Sequence, residues 1–456
     1  MAEMNIKQII DRLNAEFTGD TRKLVFWYDD NGEFVEDMQT VTLDNAKVYF
    51  LQTDNQFATK LFLERQDTTT NYLVYAPFPK PDVRDNHLED TMLYSKRFFA
   101  DRASLLSVDL GIDEKYKPII EKHIKFFASK ERTQRFYDLE IENFNEENII
   151  TGLLSAICRT RTCSFEEVIR VMLTDSTLED NKFLLETEKY GLLGDFWKLC
   201  EQHFGYADVK PTLEKLVVTM FVTYTAKYVP SELPKPWKAF SSYKAGNIIA
   251  FMDNLMNNIL YRSRYDELSA HVAAGLNAQA VFSDYPPEDL VNCDTFAVID
   301  QILIKWLVER LMAEDTGAKL DELTIPQLCE KRSKMHFGEK AGSRYQMLSS
   351  AYQMIQAGNY HCPDSFKDIL RQYQETDSGL DYEYRRFYTA YDQIEDTTAF
   401  EPLRDLVENI YTNEYLETLL PKWNSAIQEP DTFTQLPLQR DFYARNIKNA
   451  KERTVV

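Results

Sequence analysis

Apolar residues near the start of the chain follow two alternating patterns. Short runs rich in β-branched and aromatic residues predict four buried strands: KLVFWYDD ending at Asp30, AKVYFLQ ending at Gln52, NYLVYAP ending at Pro77 and SLLSVDLG ending at Gly111. Helical spacing separates the later runs, in NQFATKLFLER and in NHLEDTMLYSKRFFA. Strands joined through helices are most readily laid parallel, so the pattern predicts a small α/β sheet covered by helices on both faces.

From residue 113 onwards the spacing of apolar residues is that of amphipathic helices, which follow one another along the chain. Thr324 and Gln327 have the spacing of a capping box, and Asp294 is the expected N-cap of a helix that reaches Met312. The predicted fold class is therefore a small parallel-sheet α/β N-terminal domain followed by a large all-α region.

A proline-rich segment, VPSELPKPW at residues 229–237, divides the helical part. We therefore predict a Rossmann-like or flavodoxin-like α/β domain over residues 1–112 and helical domains over residues 113–235 and 236–452. Residues 453–456, RTVV, have the composition of the opening of a buried strand. We expect these four residues to begin a further domain that is missing from the chain.

Composition narrows the classes of function. Lys and Arg total 52 against 73 Asp and Glu, a net charge of -21, which disfavours generic binding to nucleic acid or anionic lipid. The most apolar stretch, residues 213–222, is interrupted by polar residues and is shorter than the roughly 20 residues that span a bilayer. Six cysteines are scattered without the spacing of a disulfide framework, so we expect free thiols in a reduced, cytoplasmic protein.

Acidic residues near predicted strand ends are the first candidates for chemistry. Asp29 and Asp30 follow the first strand, at the edge where open α/β sheets bind ligands, and Asp109 lies in the fourth predicted strand. If the three carboxylates converge, they could bind Mg²⁺ and serve a metal-dependent phosphoester hydrolase. The competing interpretation is a solvated Asp-Asp-Asn-Gly turn, a sequence that commonly forms turns.

Two pairs of residues have zinc-ligand spacing: Cys158 with Cys163, and Cys200 with His203. Their apolar, helical context favours cysteines that serve as small core residues. No Ser-His-Asp or Cys-His set stands out, and the chain has no glycine-rich phosphate loop.

Basic residues cluster between Lys331 and Arg344 and could meet phosphate. Few aromatic residues lie among them, which favours the interpretation that these basic side chains are on solvated faces and pair with the excess Asp and Glu residues. Direct DNA binding through this segment is an alternative that the composition disfavours.

Several segments resemble a known family: KLVFWYDDNGEFVEDM, the stretch from NYLVYAPFPKPDVRDN to SLLSVDLG, and the terminal AKERTVV. They resemble the N-terminal half of type 1 BREX phage-defence PglZ proteins, and the similarity covers essentially the whole chain. In that family the stretch similar to residues 453–456 begins a metal-binding domain of the alkaline phosphatase superfamily. The resemblance implies that the chain stops before the catalytic residues, so we expect no enzymatic activity and no cofactor here, and a divalent metal only in the missing domain.

These observations lead to a hypothesis of protein docking and complex assembly by a non-catalytic half of a BREX protein. The resemblance implies partners among the other BREX proteins, foremost BrxB, and indirectly the site-specific DNA methyltransferase. The strand-end loops YDDNGEF and PFPKPDVRDN are the predicted docking sites, through Asp29, Asp30, Lys80, Asp82 and Arg84. The metal-dependent hydrolase and a DNA-contacting module are the alternatives.

Overall fold

The computed structural model describes residues 2–174, 177–428 and 438–449. The fold is 63% helical with a small parallel sheet near the N-terminus, so the predicted fold class is confirmed. Two compact units are present: Met1–Val217 with Ser242–Phe251, and Val218–Ser241 with Met252–Val456. The predicted domain boundaries after residues 112 and 235 stay predictions, and the strand predicted at residues 453–456 lies outside the described residues.

The N-terminal sheet has four parallel strands in the order β2-β3-β1-β4: β1 Leu24–Tyr28, β2 Lys47–Phe50, β3 Tyr72–Ala76 and β4 Lys96–Arg97. The whole of β1 pairs with β3, from Leu24 opposite Tyr72 to Tyr28 opposite Ala76. Helical segments lie between consecutive strands. The predicted parallel arrangement is therefore confirmed.

Helices make up most of the other described residues. In chain order they are α1 Ala2–Glu16, α2 Val35–Met38, α3 Gln56–Leu61, α4 Glu89–Leu93, α5 Arg102–Leu110, α6 Lys117–Lys122, α7 Lys130–Tyr137, α8 Glu146–Cys158, α9 Phe165–Thr174, α10 Lys182–Lys189, α11 Leu193–Phe204, α12 Leu213–Tyr228, α13 Lys235–Lys238, α14 Ala245–Asn257, α15 Arg262–Gly275, α16 Ala278–Ser283, α17 Pro287–Leu290, α18 Ala297–Met312, α19 Ile325–Ser333, α20 His336–Lys340, α21 Gly342–Gln356, α22 Phe366–Gln372, α23 Ser378–Tyr391, α24 Glu401–Asn409 and α25 Glu417–Ala426.

Shorter elements also occur among the described residues. Four stretches there are π-helical, at Phe62–Gln66, Tyr373–Asp377, Ile410–Leu416 and Tyr443–Ile447, and four are 3₁₀-helical, at Glu114–Tyr116, Ile124–Ala128, Thr398–Phe400 and Gln439–Asp441. A two-stranded antiparallel ribbon is formed by β5 Lys319–Leu320 and β6 Leu323–Thr324. Within the described ranges, no helix combines the length and apolar character that a membrane crossing requires.

The central strands β1 and β3 are buried on both faces. One face packs against α1, α2 and the segment before α5, through the strand residues Val25, Trp27, Leu73 and Tyr75. The opposite face packs against α4 and the π-helical turn that follows α3, through Phe26, Tyr72, Val74 and Ala76. This alternation follows from the two-residue period of a strand and confirms that both faces of the sheet are covered.

The fourth predicted strand is wrong, because residues 104–111 belong to α5 and the turn that ends it. The side chain of Asp101 accepts hydrogen bonds from the backbone N–H groups of Ala103 and Ser104, at 3.0 and 3.3 Å. Gly111 ends the helix in the left-handed region with φ 68°. The N-cap and the C-terminal glycine thus stabilise this apolar run as a helix. The fourth strand of the sheet is instead β4.

Strand β2 is less buried than predicted. Lys47 and Phe50 are exposed and the two residues between them are half-buried. The physical reason is that β2 lies at an edge of the sheet, where one neighbour is absent. The expectation of four buried strands therefore holds only for the two central ones.

A buried ion pair and a tyrosine hydroxyl join three helices of the second unit. Arg332 of α19 is fully buried, and its Nε and Nη2 donate to the carboxylate of Asp300 in α18 at 3.0 and 2.8 Å. The hydroxyl of Tyr345 in α21 donates to the same carboxylate. Burial opposes the charged guanidinium, yet the Asp300 carboxylate raises the pKa of Arg332 above its ordinary value. Removing one partner would leave an uncompensated buried charge, so the pair constrains how these helices pack.

Asp294 has a different role from the predicted one. α18 begins after Phe296, and Asp294 instead accepts hydrogen bonds from the backbone N–H groups of His336 and Phe337, at the start of α20. It therefore stabilises the N-terminus of a helix that is distant in sequence. The capping box predicted for Thr324 and Gln327 is confirmed at the start of α19.

A close backbone approach in this unit gives a matched pair of glycine tests. A Cβ atom added to Gly338 would lie 1.8 Å from the carbonyl oxygen of Arg332, whereas one added to Gly342 would meet nothing within 4 Å. We expect Gly338→Ala to lower the free energy of unfolding by about 1–3 kcal/mol or more, because backbone must shift. Gly342→Ala should raise it by up to about 1 kcal/mol. Urea denaturation followed by circular dichroism measures both, and equal effects would contradict the packing described.

Candidate functional site

The loop after β1 is organised by the carboxylate of Asp29. This side chain is buried and accepts hydrogen bonds from the backbone N–H groups of Glu33 and Phe34, at 2.9 and 2.8 Å. It also accepts one from the hydroxyl of Tyr75 in β3. Burial and the Asp29 carboxylate raise the pKa of Tyr75 above its ordinary value. Asp29 therefore holds its own loop in place.

The three carboxylates of the hydrolase alternative are not grouped. Asp30 is exposed in the turn, and Asp109 lies half-buried on α5, where burial raises the pKa of its carboxyl group. Gly32 closes the turn by donating its N–H to the carbonyl of Asp29 at 3.0 Å. No three His, Cys, Asp or Glu side chains in the described ranges are placed to hold one metal ion.

The second predicted docking loop carries exposed side chains next to α4. Asp82 and Arg84 are exposed, and 68% of Val83 between them is accessible. Lys80 is half-buried and forms an ion pair of 2.8 Å with Glu89, at the start of α4. The loop is thus fastened to α4 at Lys80 and presents residues 82–84 outward.

Exposed apolar side chains occur on the two helices beside this loop. We define the α3–α4 face by five residues: Phe57 and Leu61 of α3, Val83 of the loop, and Leu93 and Tyr94 at the end of α4. Their exposed fractions are 68%, 48%, 68%, 73% and 92% in that order. The ion pair between Lys60 and Asp90 links the two helices, and the Phe57 ring also contacts His87 in the loop before α4. The face therefore lies on two helices in mutual contact.

Sequence reasoning missed this face because it placed Phe57 and Leu61 on a regular amphipathic helix. In the structure α3 continues into the π-helical stretch Phe62–Gln66, which has a wider turn than an α-helix. Leu63, within that stretch, is fully buried against the sheet, while the apolar residues of α3 are left outside. A change of helical period within a short apolar run leaves no simple signal in the sequence.

The cysteines of the zinc alternative are free thiols. Cys158 and Cys200 are buried in helices, and burial raises the pKa of both thiols. Cys163 is half-buried, with a pKa raised to about 11 by burial. His203 instead contacts Glu147, with 2.9 Å between Nε2 and Oε1.

Most of the basic residues between Lys331 and Arg344 are engaged within the protein. Arg332 is buried against Asp300, and three lysines bind neighbouring side chains: Lys331 binds Asn292, Lys334 binds Glu330 and Lys340 binds Asp266. This arrangement agrees with the interpretation of paired charges rather than of an open cationic surface.

The fold and these surfaces define a class of protein: a parallel α/β sheet with an exposed apolar helical face, followed by a helical region. The chain is 32% identical to the alkaline phosphatase-like protein PglZ of Bacillus cereus (strain H3081.97) over 471 residues, which covers 99% of this chain and 55% of that relative. It is 25% identical to the alkaline phosphatase-like protein BrxZ of Escherichia coli O9:H4 (strain HS), covering 98% of this chain and 54% of the relative.

No family model matches the chain, and no solved structure matches it. Its similarity to PglZ and BrxZ supports the family resemblance seen in the sequence. The chain spans about half the length of these curated relatives, 55% and 54%.

Neighbouring aspartates allow a test of the loop. Asp29→Ala would leave two backbone N–H groups and the hydroxyl of Tyr75 without their acceptor, so we expect the free energy of unfolding to fall by at least about 2 kcal/mol. Asp30→Ala removes an exposed side chain and should change it by no more than about 0.5 kcal/mol. Thermal unfolding of both variants is the measurement. Similar losses in the two would show that Asp29 does not organise the loop.

Proposed function

We propose that this chain acts in BREX phage defence as a docking part of a PglZ-like protein, and that the α3–α4 face is its docking surface. Similarity to PglZ and BrxZ along almost the whole chain supports the BREX-related role. The exposed apolar face supports docking as the contribution of the described residues.

The observation that carries the proposal is the exposure of large apolar side chains on two helices in contact. Leu93 and Tyr94 are 73% and 92% exposed, and Phe57 is 68% exposed. Contiguous apolar surface on a soluble protein is characteristic of interaction sites, and aromatic residues contribute strongly to binding at such sites. A partner that covers this face would remove these side chains from water.

Charged side chains beside the face supply a polar rim. Asp82 and Arg84 flank Val83 and are exposed, while Lys60 and Asp90 pair with each other between α3 and α4. Rim charges of both signs favour a partner with complementary charges and disfavour others. Asp82 and Arg84 are thus docking residues in this proposal, while Asp29 contributes by holding the neighbouring loop and Lys80 by fastening its loop to α4.

The partners we propose are other BREX proteins, with BrxB as the direct partner and the DNA methyltransferase as an indirect one. We assign no phosphatase chemistry to the described residues, since Asp29 is committed to its loop and Asp30 and Asp109 do not join it at a metal position. Hydrolysis and its divalent metal are proposed for the longer relatives.

Introducing negative charge into the apolar face tests the docking surface. The double variant Phe57→Asp with Leu93→Asp places two carboxylates where burial is expected, which carries a large desolvation cost on binding. We expect its dissociation constant for BrxB to rise at least tenfold, as measured by biolayer interferometry after co-elution of the unmodified chain with each BREX protein has been established.

The matched control is Val209→Asp with Ile259→Asp, because these two residues are 99% and 85% exposed and lie outside the α3–α4 face. This control should bind BrxB as the unmodified chain does, and circular dichroism should show all variants folded. Equal binding by both double variants would reject the surface, and failure of the unmodified chain to bind any BREX protein would reject docking itself.

A further inference from the structure

A cavity lies on the opposite side of the sheet from the α3–α4 face. Residues of α1, α2 and its following loop, α5 and α7 enclose it, and its volume is about 620 Å³. Cavities that bind small organic molecules commonly measure roughly 300–1,000 Å³. Much of the wall is apolar and is formed by Ile6, Ile9, Ile10, Val41 and Leu106. The cavity therefore has the size and walls to take a hydrocarbon body.

The polar side of the cavity is built around a buried arginine. Only 7% of Arg102 is exposed, and its Nη1 donates to the carbonyl of Glu33 and, at 2.8 Å, to a carboxylate oxygen of Asp37. The guanidinium carbon lies 5.1 Å from the centre of the Phe34 ring. An ion pair, a backbone carbonyl and an aromatic ring thus fix the orientation of this group.

One edge of the Arg102 guanidinium is left without a protein acceptor. Both hydrogen bonds described for it use Nη1, while the buried Nε has no hydrogen-bond partner. A buried donor without an acceptor is costly and is uncommon in folded proteins. Arg102 lines the cavity, so an anionic group bound there would lie beside a guanidinium whose hydrogen bonds to the protein all use Nη1.

The charge at the cavity favours an anion. Lys7, Arg102 and Lys130 line it against a single carboxylate, that of Asp37. Lys130 Nζ lies 3.4 Å from Asp37 Oδ1 and donates to the hydroxyl of Thr40 at 2.9 Å. Among the lining side chains, three cations thus face one carboxylate, although the whole chain carries a net charge of -21.

We propose that this cavity binds a small organic carboxylate with an apolar body, such as an aryl-substituted or medium-chain acid. The carboxylate would form an ion pair with the Arg102 guanidinium, which Asp37, the Glu33 carbonyl and the Phe34 ring hold in one orientation at the cavity wall. Lys130 and Lys7 add positive charge around the carboxylate. This site is independent of the docking surface, which lies beyond the other face of the sheet.

The test compares 4-phenylbutyrate with 4-phenylbutan-1-ol, which has the same apolar body without the charge, by isothermal titration calorimetry on the unmodified chain. The carboxylate should bind at least tenfold more tightly than the alcohol. Arg102→Lys keeps the positive charge beside Asp37 but removes the planar guanidinium and its fixed orientation, so the affinity for 4-phenylbutyrate should fall at least tenfold while that for the alcohol stays the same.

Surface variants at the cavity keep the test decisive if Arg102→Lys does not fold, which circular dichroism would show. Thr42→Trp, at an exposed lining position, should block entry, and Lys130→Gln should weaken binding of the carboxylate several-fold. Lys125→Gln, at an exposed position outside the lining, is the control and should bind normally. Absence of 4-phenylbutyrate binding, equal affinity for acid and alcohol, or indifference to both cavity variants would overturn the proposal.

Discussion

Strands β1 and β3 lie in the middle of a parallel sheet. Both of their faces must be covered, because each strand carries apolar side chains on both faces. Helices α1, α2 and α5 meet this requirement on one face, and α4 with the π-helical end of α3 meets it on the other. The cavity and the α3–α4 face are consequences of how the two layers achieve this cover. The layer of α1, α2 and α5 leaves a cavity beside Arg102, and the layer of α3 and α4 leaves apolar side chains exposed to solvent.

The central part of the sheet could be predicted from the sequence because two-residue alternation and β-forming residues are local signals. Residues 104–111 were predicted as a strand but form a helix, because a short apolar run is compatible with a strand and with a buried helix alike. The N-cap at Asp101 favours the helix. Strand β4 has only two residues, Lys96 and Arg97, and both are exposed, so it carries no apolar pattern. Its position depends on pairing with β1.

The proposed docking surface was less predictable, because contacts between segments distant in the sequence decide which side chains stay exposed. Asp29 lies at the strand end where the sequence placed it, but only the fold shows that Glu33, Phe34 and Tyr75 occupy its carboxylate. Arg332 belongs to a basic run in the sequence and to a buried ion pair in the structure. Which face of a helix stays exposed depends on the elements that pack against it. The exposure of residues 82–84 could therefore be predicted from their position in a loop, whereas that of Leu93 and Tyr94 on α4 could not.

Hydrogen–deuterium exchange of the chain, alone and with BrxB bound, tests most directly whether the second helical layer is a docking surface. Backbone amides covered by a partner exchange more slowly, and peptides report where this occurs. The proposed surface predicts slower exchange in residues 55–66 and 82–95, with little change in residues 205–212 around the exposed Val209. Formation of the complex with protection elsewhere and none in the first two segments would contradict it.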